Sequence, residues 1–361
     1  MTTHLTIREI RARAVSLAPE RPVETASGTL ARTPLVLIDL MTEEGVVGRS
    51  YVRCYAPVAL PALARLVADL GPLIHGEAAS PEGIEMRLQA QFRLLGPQGL
   101  VLMAMAGIDM ALWDARARAR NLPLVTLLGG TPRPVPAYAS LRSMSPKPAA
   151  EDAEAALAQG FTAVKVKIGR GELASDLATI RAVRSAVGAR TDIMVDYNQS
   201  LSVEEAIRRV RVLDDEGLAW IEEPTRADDF AGHARIAAAA RTPIQLGENC
   251  WGPHDIEKLI AAGASDHIML DVMKLGGVTP WLRAAALAEA ARLPASSHTF
   301  PEFSAHLLAV TPTAHRVEYL DHVGSILAEP VRVQDGTVLI PERPGSGVDW
   351  DEAAIAKALV D

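Results

Sequence analysis

From residue 131 onward the chain repeats one unit: a short run of β-branched residues, then an Ala-rich stretch with helical spacing, then another β run. Strands are expected to end near Tyr138, Lys167, Asp196, Glu222, Glu248, Asp271, His298 and Tyr319. Helical patterns lie between them, for example over 174–187, 203–216, 229–240 and 278–292. Eight strands alternating with helices require a parallel sheet, and right-handed crossovers close it into a (β/α)8 barrel over residues 131–325. The competing arrangement is an open doubly wound sheet. That fold usually binds nucleotides through a Gly-rich first turn, and neither a GxGxxG nor a P-loop pattern occurs here.

Residues 1–130 read differently. The apolar run Leu35-Val36-Leu37-Ile38, a turn at Gly45 and a renewed run at Val46-Val47 predict a hairpin. Helical spacing then holds from Pro57 to Arg120, broken at Gly96-Pro97, so this is an α+β domain. Residues 326–361 are loop-rich and are expected to pack back on it.

Charge and cysteine usage exclude some functions. The net charge is −8 and no stretch is strongly basic, so nucleic acid and anionic membranes are not expected partners. The two cysteines, Cys54 and Cys250, sit in no CxxC pair and fit a reducing, cytoplasmic setting. The N-terminal residues lack a signal-peptide run. The most apolar stretch, 100–113, is too short to span a bilayer, carries Asp109, and predicts a buried helix. Cys250 lacks a His partner in the spacing and is not expected to be a nucleophile.

The strand ends carry the chemistry. Asp196 to Glu222 is 26 residues, as is Glu222 to Glu248, which is about one βα unit each. Asp271, His298 and Glu318 continue the series, so all six are expected at one height on the C-terminal rim, where barrel enzymes place catalytic groups. Three carboxylates converging on Asp196, Glu222 and Glu248 repel one another unless a hard divalent cation joins them. Oxygen-only donors favour Mg²⁺, with Mn²⁺ a possible substitute. Strand alternation admits only one of Glu222 and Glu223, and even spacing selects Glu222.

In Ala163-Val164-Lys165-Val166-Lys167 the period of two puts both lysines on one face, turned into the barrel. Two adjacent ammonium groups lower each other's pKa, so one of them is able to act as a neutral base. Across the rim, Asp271 beside His298 would set the imidazole tautomer and stabilise its charged form. His306, His315 and His322 show no comparable partners and are read as structural.

These residues resemble the mandelate racemase subgroup of the enolase superfamily, a pattern of Lys or His base with Mg²⁺ that is itself a standard worked case. The likeness runs through Pro-Leu-Val-Leu-Ile-Asp-Leu at 34–40, Ala-Gly-Ile-Asp-Met-Ala at 106–111 and Met-Val-Asp-Tyr-Asn-Gln-Ser-Leu at 194–201. It continues in Trp-Ile-Glu-Glu-Pro-Thr at 220–225 and Ser-Ala-His-Leu-Leu-Ala at 304–309. The resemblance implies an N-terminal capping domain over the barrel, completed by the C-terminal tail. It implies Asp196, Glu222 and Glu248 as Mg²⁺ ligands, Lys167 as base on one face of the substrate carbon, and His298 with Asp271 as base on the other. Lys165 and a protonated Glu318 would bind the substrate carboxylate, and Asn198 would meet the α-hydroxyl. A homo-oligomer, an octamer, is implied as well.

The resemblance implies a small carboxylic acid as substrate. In the mouth-covering loops, Glu24, Ser27, Arg53 and Arg142 stand among Val23, Ala26 and Tyr55, and Thr299 follows His298. Two or more polar groups turned inward would favour a polar or anionic acid over an aryl one. The leading reading is a racemase or epimerase of a 2-hydroxy acid. A dehydratase of a polyhydroxy acid, with His298 protonating a leaving hydroxyl, is the alternative, and a barrel that binds without turnover is the third.

Overall fold

The β-branched runs near the N-terminus form a three-stranded antiparallel sheet, with Thr33–Thr42 in the centre between Ile7–Leu17 and Val47–Arg53. This computed structural model describes residues 4–19 and 21–360. The central strand is apolar on both faces, and Val36, Leu37, Ile38 and Leu40 are fully buried. The predicted hairpin turns at Gly45, whose φ of +81° suits a residue without a side chain.

Three helices, Leu60–Ile74, Pro81–Gln91 and Leu100–Ala119, follow. The last contains the apolar stretch at 100–113 and is buried along most of its length, as expected. It lies directly on the sheet: a Cβ on Gly48 would stand 2.0 Å from the Ala111 carbonyl oxygen. Any side chain there would push helix and strand apart. Pro57–Ile74 is long and apolar enough to cross a membrane by length and composition, but Leu63, Val67, Leu70 and Ile74 pack into this domain's core.

The barrel strands are Val135–Ser140, Ala163–Lys167, Asp192–Asp196, Ile221–Glu222, Ile244–Leu246, His267–Leu270, Ala295–Ser297 and Ala314–Tyr319. Each pairs in parallel with the next. The eighth pairs with the first through Val317↔Ala137 and Glu318↔Tyr138, which closes the eight-stranded ring. Tyr138, Ala163, Met194, Trp220 and Met269 fill the interior as a core of their own. Strands two, three, four and eight end where the sequence predicts. The fifth stops at Leu246, because Gly247 adopts φ +133° and a Cβ there would meet the Met269 carbonyl oxygen at 2.6 Å. Asp271 and His298 stand one residue beyond their strands, and Asp271 caps the short helix Val272–Leu275 by accepting from the Lys274 amide at 2.8 Å.

The tail touches both layers. Thr337–Leu339 pairs antiparallel with Val135 and Pro136. Beyond it, Trp350 donates to Asp39 at 2.8 Å, Glu352 pairs with Arg13 at 2.5 Å, and the Val360 amide donates to the Ala14 carbonyl at 3.1 Å.

Candidate active site

The C-terminal strand ends and the cap's first loops enclose a cavity of about 500 Å³. Every residue of the second barrel strand is buried, and both lysines reach the barrel interior as the alternation predicts. Lys165 is ion-paired with Glu222, with Glu318 at 2.9 Å and with Asp196 at 3.8 Å. Lys167 donates to Ser140 Oγ and the Leu141 carbonyl, both at 3.0 Å. The expected mutual lowering of pKa holds for one lysine only. Burial, then the charge of Lys165, pushes Lys167 down. For Lys165 burial acts the same way, but Glu222, Glu318 and Asp196 outweigh it and hold its pKa well above the usual lysine value. Of the two lysines, Lys167 is the one whose charged form the site disfavours.

His298 Nδ1 lies 2.5 Å from Asp271 Oδ2, and its Nε2 stands 3.6 Å from Glu248 and 3.8 Å from Glu318. Burial disfavours the imidazolium, yet Glu248, Asp271 and Glu318 together raise its pKa to about 9. The dyad expected from sequence is formed. Glu318 departs from expectation. Burial raises its pKa, but Lys165, His298 and Lys167 overcome this and bring it down to about 2, so the ligand-free site holds Glu318 as an anion.

The acidic residues do not share one height. Asp196 and Glu222 are in register, but Glu222 faces Gln245, so Glu248 stands three residues further up, past the break at Gly247. Nor does alternation separate Glu222 from Glu223. Glu222 points inward to Lys165, and its Oε2 accepts from Trp220 at 3.0 Å and Gln245 at 3.1 Å. The strand ends there, and at φ +37° Glu223 turns back into the cavity, where both its oxygens accept from Asn249 at 2.8 Å. Both glutamates are buried, but only Glu223 lines the cavity, while Glu222 lies beneath it against Trp220 and Gln245; sequence alternation stopped applying where the strand did.

Among the described residues no group of three His, Cys, Asp or Glu side chains is drawn into a ready-made metal shell. The donor chemistry nevertheless fits a hard cation. Burial raises Asp196 and Glu223 and takes Glu222 to about 8; Lys165 opposes the rise at Asp196 and Glu222, and neighbouring carboxylates add to it at all three. A divalent ion held by carboxylate oxygens would relieve that excess negative charge.

Asn198 donates to Asp196 through its backbone N–H and its Nδ2, both at 2.7 Å, and its buried Oδ1 has no partner. The Thr299 amide donates to Glu318 at 3.2 Å, while its Oγ1 is likewise buried and unpartnered. Asn198, Gln199, Glu223, Thr299 and Phe300 all have positive φ, five of the eight such non-glycine residues described. Strained backbone is thus concentrated around this mouth, as it is at functional sites generally.

Of the specificity candidates, Val23, Ser27, Arg53, Tyr55 and Thr299 line the cavity. Arg142 does not. It faces a neighbouring depression and its guanidinium donates to the Arg21 and Asp321 carbonyls at 3.3 Å. Glu24 is also diverted, accepting from the Met144 amide at 2.8 Å. Sequence reasoning missed Glu223, Gln199, Asn249 and Lys274, all of which line the cavity. Lys274 was signalled by its place in the first turn after Asp271. His322, read as structural, accepts from Arg53 Nη1 at 2.9 Å. Cys250 is buried and its thiol pKa is pushed up, in keeping with no nucleophilic role.

Residues 8–129 match the mandelate racemase / muconate lactonizing enzyme N-terminal domain family, and residues 148–354 match the enolase C-terminal domain-like family. The chain belongs to the mandelate racemase/enolase superfamily. Within that superfamily it is 33% identical to the 3,6-anhydro-α-L-galactonate cycloisomerase of Streptomyces coelicolor, covering 95% of this chain and 96% of that one. It is 31% identical to the L-talarate/galactarate dehydratase of Salmonella typhimurium, covering 90% and 82%. A crystal structure of an enolase from Bradyrhizobium, complexed with magnesium and mandelic acid, is 46% identical over the whole of both chains, with a TM-score of 0.94. Superfamily members thus include isomerases and dehydratases, and solved relatives hold Mg²⁺.

Proposed function

We propose that this superfamily member is a Mg²⁺-dependent racemase or epimerase of the mandelate racemase subgroup, acting on a 2-hydroxy carboxylic acid. The observation that carries the reading is the placement of Lys167 and the His298–Asp271 dyad on different walls of one cavity, with Lys165 and Glu318 beside them. Two bases on different walls allow one to take the α-proton and the other to return a proton to the opposite face.

Asp196, Glu222 and Glu248 would hold Mg²⁺, with Glu223 on the same wall. When bound, the ion supplies positive charge against the second negative charge that α-proton removal puts on a carboxylate. The residues of the chain do the rest. Lys167, whose pKa burial and the charge of Lys165 push down, accepts the proton at Nζ. The substrate carboxylate shares Lys165 with Glu318. That weakens the hold on the Glu318 anion and favours its protonated form, which then donates a hydrogen bond. The free Asn198 Oδ1 accepts the α-hydroxyl.

A dehydratase of a polyhydroxy acid is the second reading. It is favoured by the polar groups Ser27, Arg53 and Thr299 in the cavity wall and by the sugar-acid enzymes among the relatives. Proton NMR in D₂O with Mg²⁺ and a panel of 2-hydroxy acids, mandelate enantiomers and aldaric acids included, separates the two. Racemisation gives α-proton exchange from both enantiomers without a keto acid. Lys167→Ala and His298→Asn should each lose exchange on one enantiomer only, by roughly a thousandfold. A 2-keto-3-deoxy product establishes the dehydratase, and neither exchange nor product with any acid would sink both readings.

A further inference from the structure

Four lysine and arginine side chains line this cavity, Arg53, Lys165, Lys167 and Lys274, and among the described residues only Lys165 is ion-paired with carboxylates. Lys165, 1% exposed, is ion-paired with three carboxylates. Arg53 and Lys274 are nearly as buried, at 7% and 8% exposure. Among the described residues neither is ion-paired with any carboxylate. Arg53 spends one N–H on His322, which accepts through Nε2 at 2.9 Å and, because burial and Arg53 push its pKa well below 6.5, offers no charge in return. Lys274 gives one N–H to Asn249 Oδ1. Their remaining contacts are aromatic faces. Arg53 Cζ lies 4.6 Å and Lys274 Nζ 4.9 Å from the same Tyr55 ring centre, and Trp251 lies 5.0 Å from Lys274. Tyr55 therefore carries a cation from the cap's third strand and another from the turn after the sixth barrel strand.

Burying a charge without a counter-charge is costly, and ring faces and neutral acceptors compensate only in part. The Arg fork retains unused donors suited to a carboxylate, and the Lys ammonium adds two more. We propose that Arg53 and Lys274 form a second anion subsite, so that the substrate is a dicarboxylic 2-hydroxy acid whose far carboxylate is held beside Tyr55. The proposal rests on the α-proton reading for the placement of the first carboxylate at Lys165. An aryl tail would cover both cations and leave them unpaired; a hydroxymethyl tail would satisfy their donors without balancing the charge.

The test is calorimetric binding to the Mg²⁺-loaded enzyme. The ligands are malate, 2-hydroxyglutarate and galactarate, each set against its ω-monoamide, with mandelate as the aryl probe. At least one diacid should bind ten or more times tighter than its amide. Arg53→Gln and Lys274→Gln should each weaken that diacid at least tenfold and the amide less than twofold, with unfolding temperatures showing that both variants fold. The subsite is overturned if amides or mandelate bind as tightly as every diacid. It is overturned too if the variants weaken diacid and amide alike, which would leave the two cations as packing for Tyr55 and Asn249. Following α-proton exchange on the same compounds separates the claims. A diacid bound through Arg53 and Lys274 but never exchanged sinks the α-proton reading and keeps the subsite; exchange without diacid selectivity does the reverse.

Discussion

The floor and the wall of one cavity treat buried charge in opposite ways. On the floor, Lys165 meets Glu222, Glu318 and Asp196 and is balanced within the protein. On the wall, Arg53 and Lys274 have comparable burial and no such balance. The floor comes from strand residues whose direction is set by a period of two. The wall comes from a cap strand end and a short helix that meet only in the folded chain. A site that must move protons benefits from charges fixed before the substrate arrives, whereas a site that must choose a substrate gains selectivity by leaving a charge for the ligand to match. His306 shows a third solution, remaining neutral. It accepts from the Val125 amide at 3.0 Å and donates to the Ser346 carbonyl at 3.1 Å, joining helix, cap and tail.

The sharpest way to break the contrast is stability. Lys165→Met strands buried carboxylates and should lower unfolding stability by about 3–5 kcal/mol, whereas Arg53→Met removes an unbalanced charge and should be neutral or stabilising. Urea or thermal melts of the two variants, without ligand, decide it. Equal destabilisation would mean that the wall is balanced after all.

The neutral solution has a pH signature. Burial lowers His306 to about 4 from 6.5. A depressed folded pKa means the unfolded state takes up the proton first as the pH falls. Stability contributed above pH 6.5 is therefore lost between about 6.5 and 4, on the order of 3 kcal/mol in all. Melts across that window should show a shallower acid slope for His306→Gln than for the parent. Identical slopes would show that His306 does not hold the depressed value.

A smaller effect sharpens the floor itself. If Glu222 holds the metal as the resemblance implies, Glu222→Gln should weaken Mg²⁺ affinity more than Glu223→Gln, the latter by tenfold to a hundredfold as a supporting group. Calorimetric Mg²⁺ titration reads both. The reverse order would move the ligand role to Glu223, which the cavity already exposes.

How much of this was legible differs by residue. The inward Lys165 and Lys167 followed from alternation alone, and the His298–Asp271 pair from one βα step between strand ends. Glu318 was named, but as a protonated group: in the ligand-free site Lys165 at 2.9 Å and the nearby His298 keep it an anion, and neither distance is written in the spacing. Arg142 illustrates the opposite error, a polar residue in the right loop that backbone carbonyls draw away from the cavity.

By itself the sequence determined the eight-strand rhythm, the closed barrel and the acidic and basic strand ends. Periodicity is local, and a parallel sheet repeats the same unit around the ring. Only the tertiary structure decided the rest: that Glu223 turns into the cavity above Glu222, that Glu248 stands above the shared register, and that Arg53 and Lys274 meet at one tyrosine ring. Those features arise where strands stop and loops begin. There side-chain direction follows from positive φ angles and from contacts between segments more than 200 residues apart, and no local period carries that information.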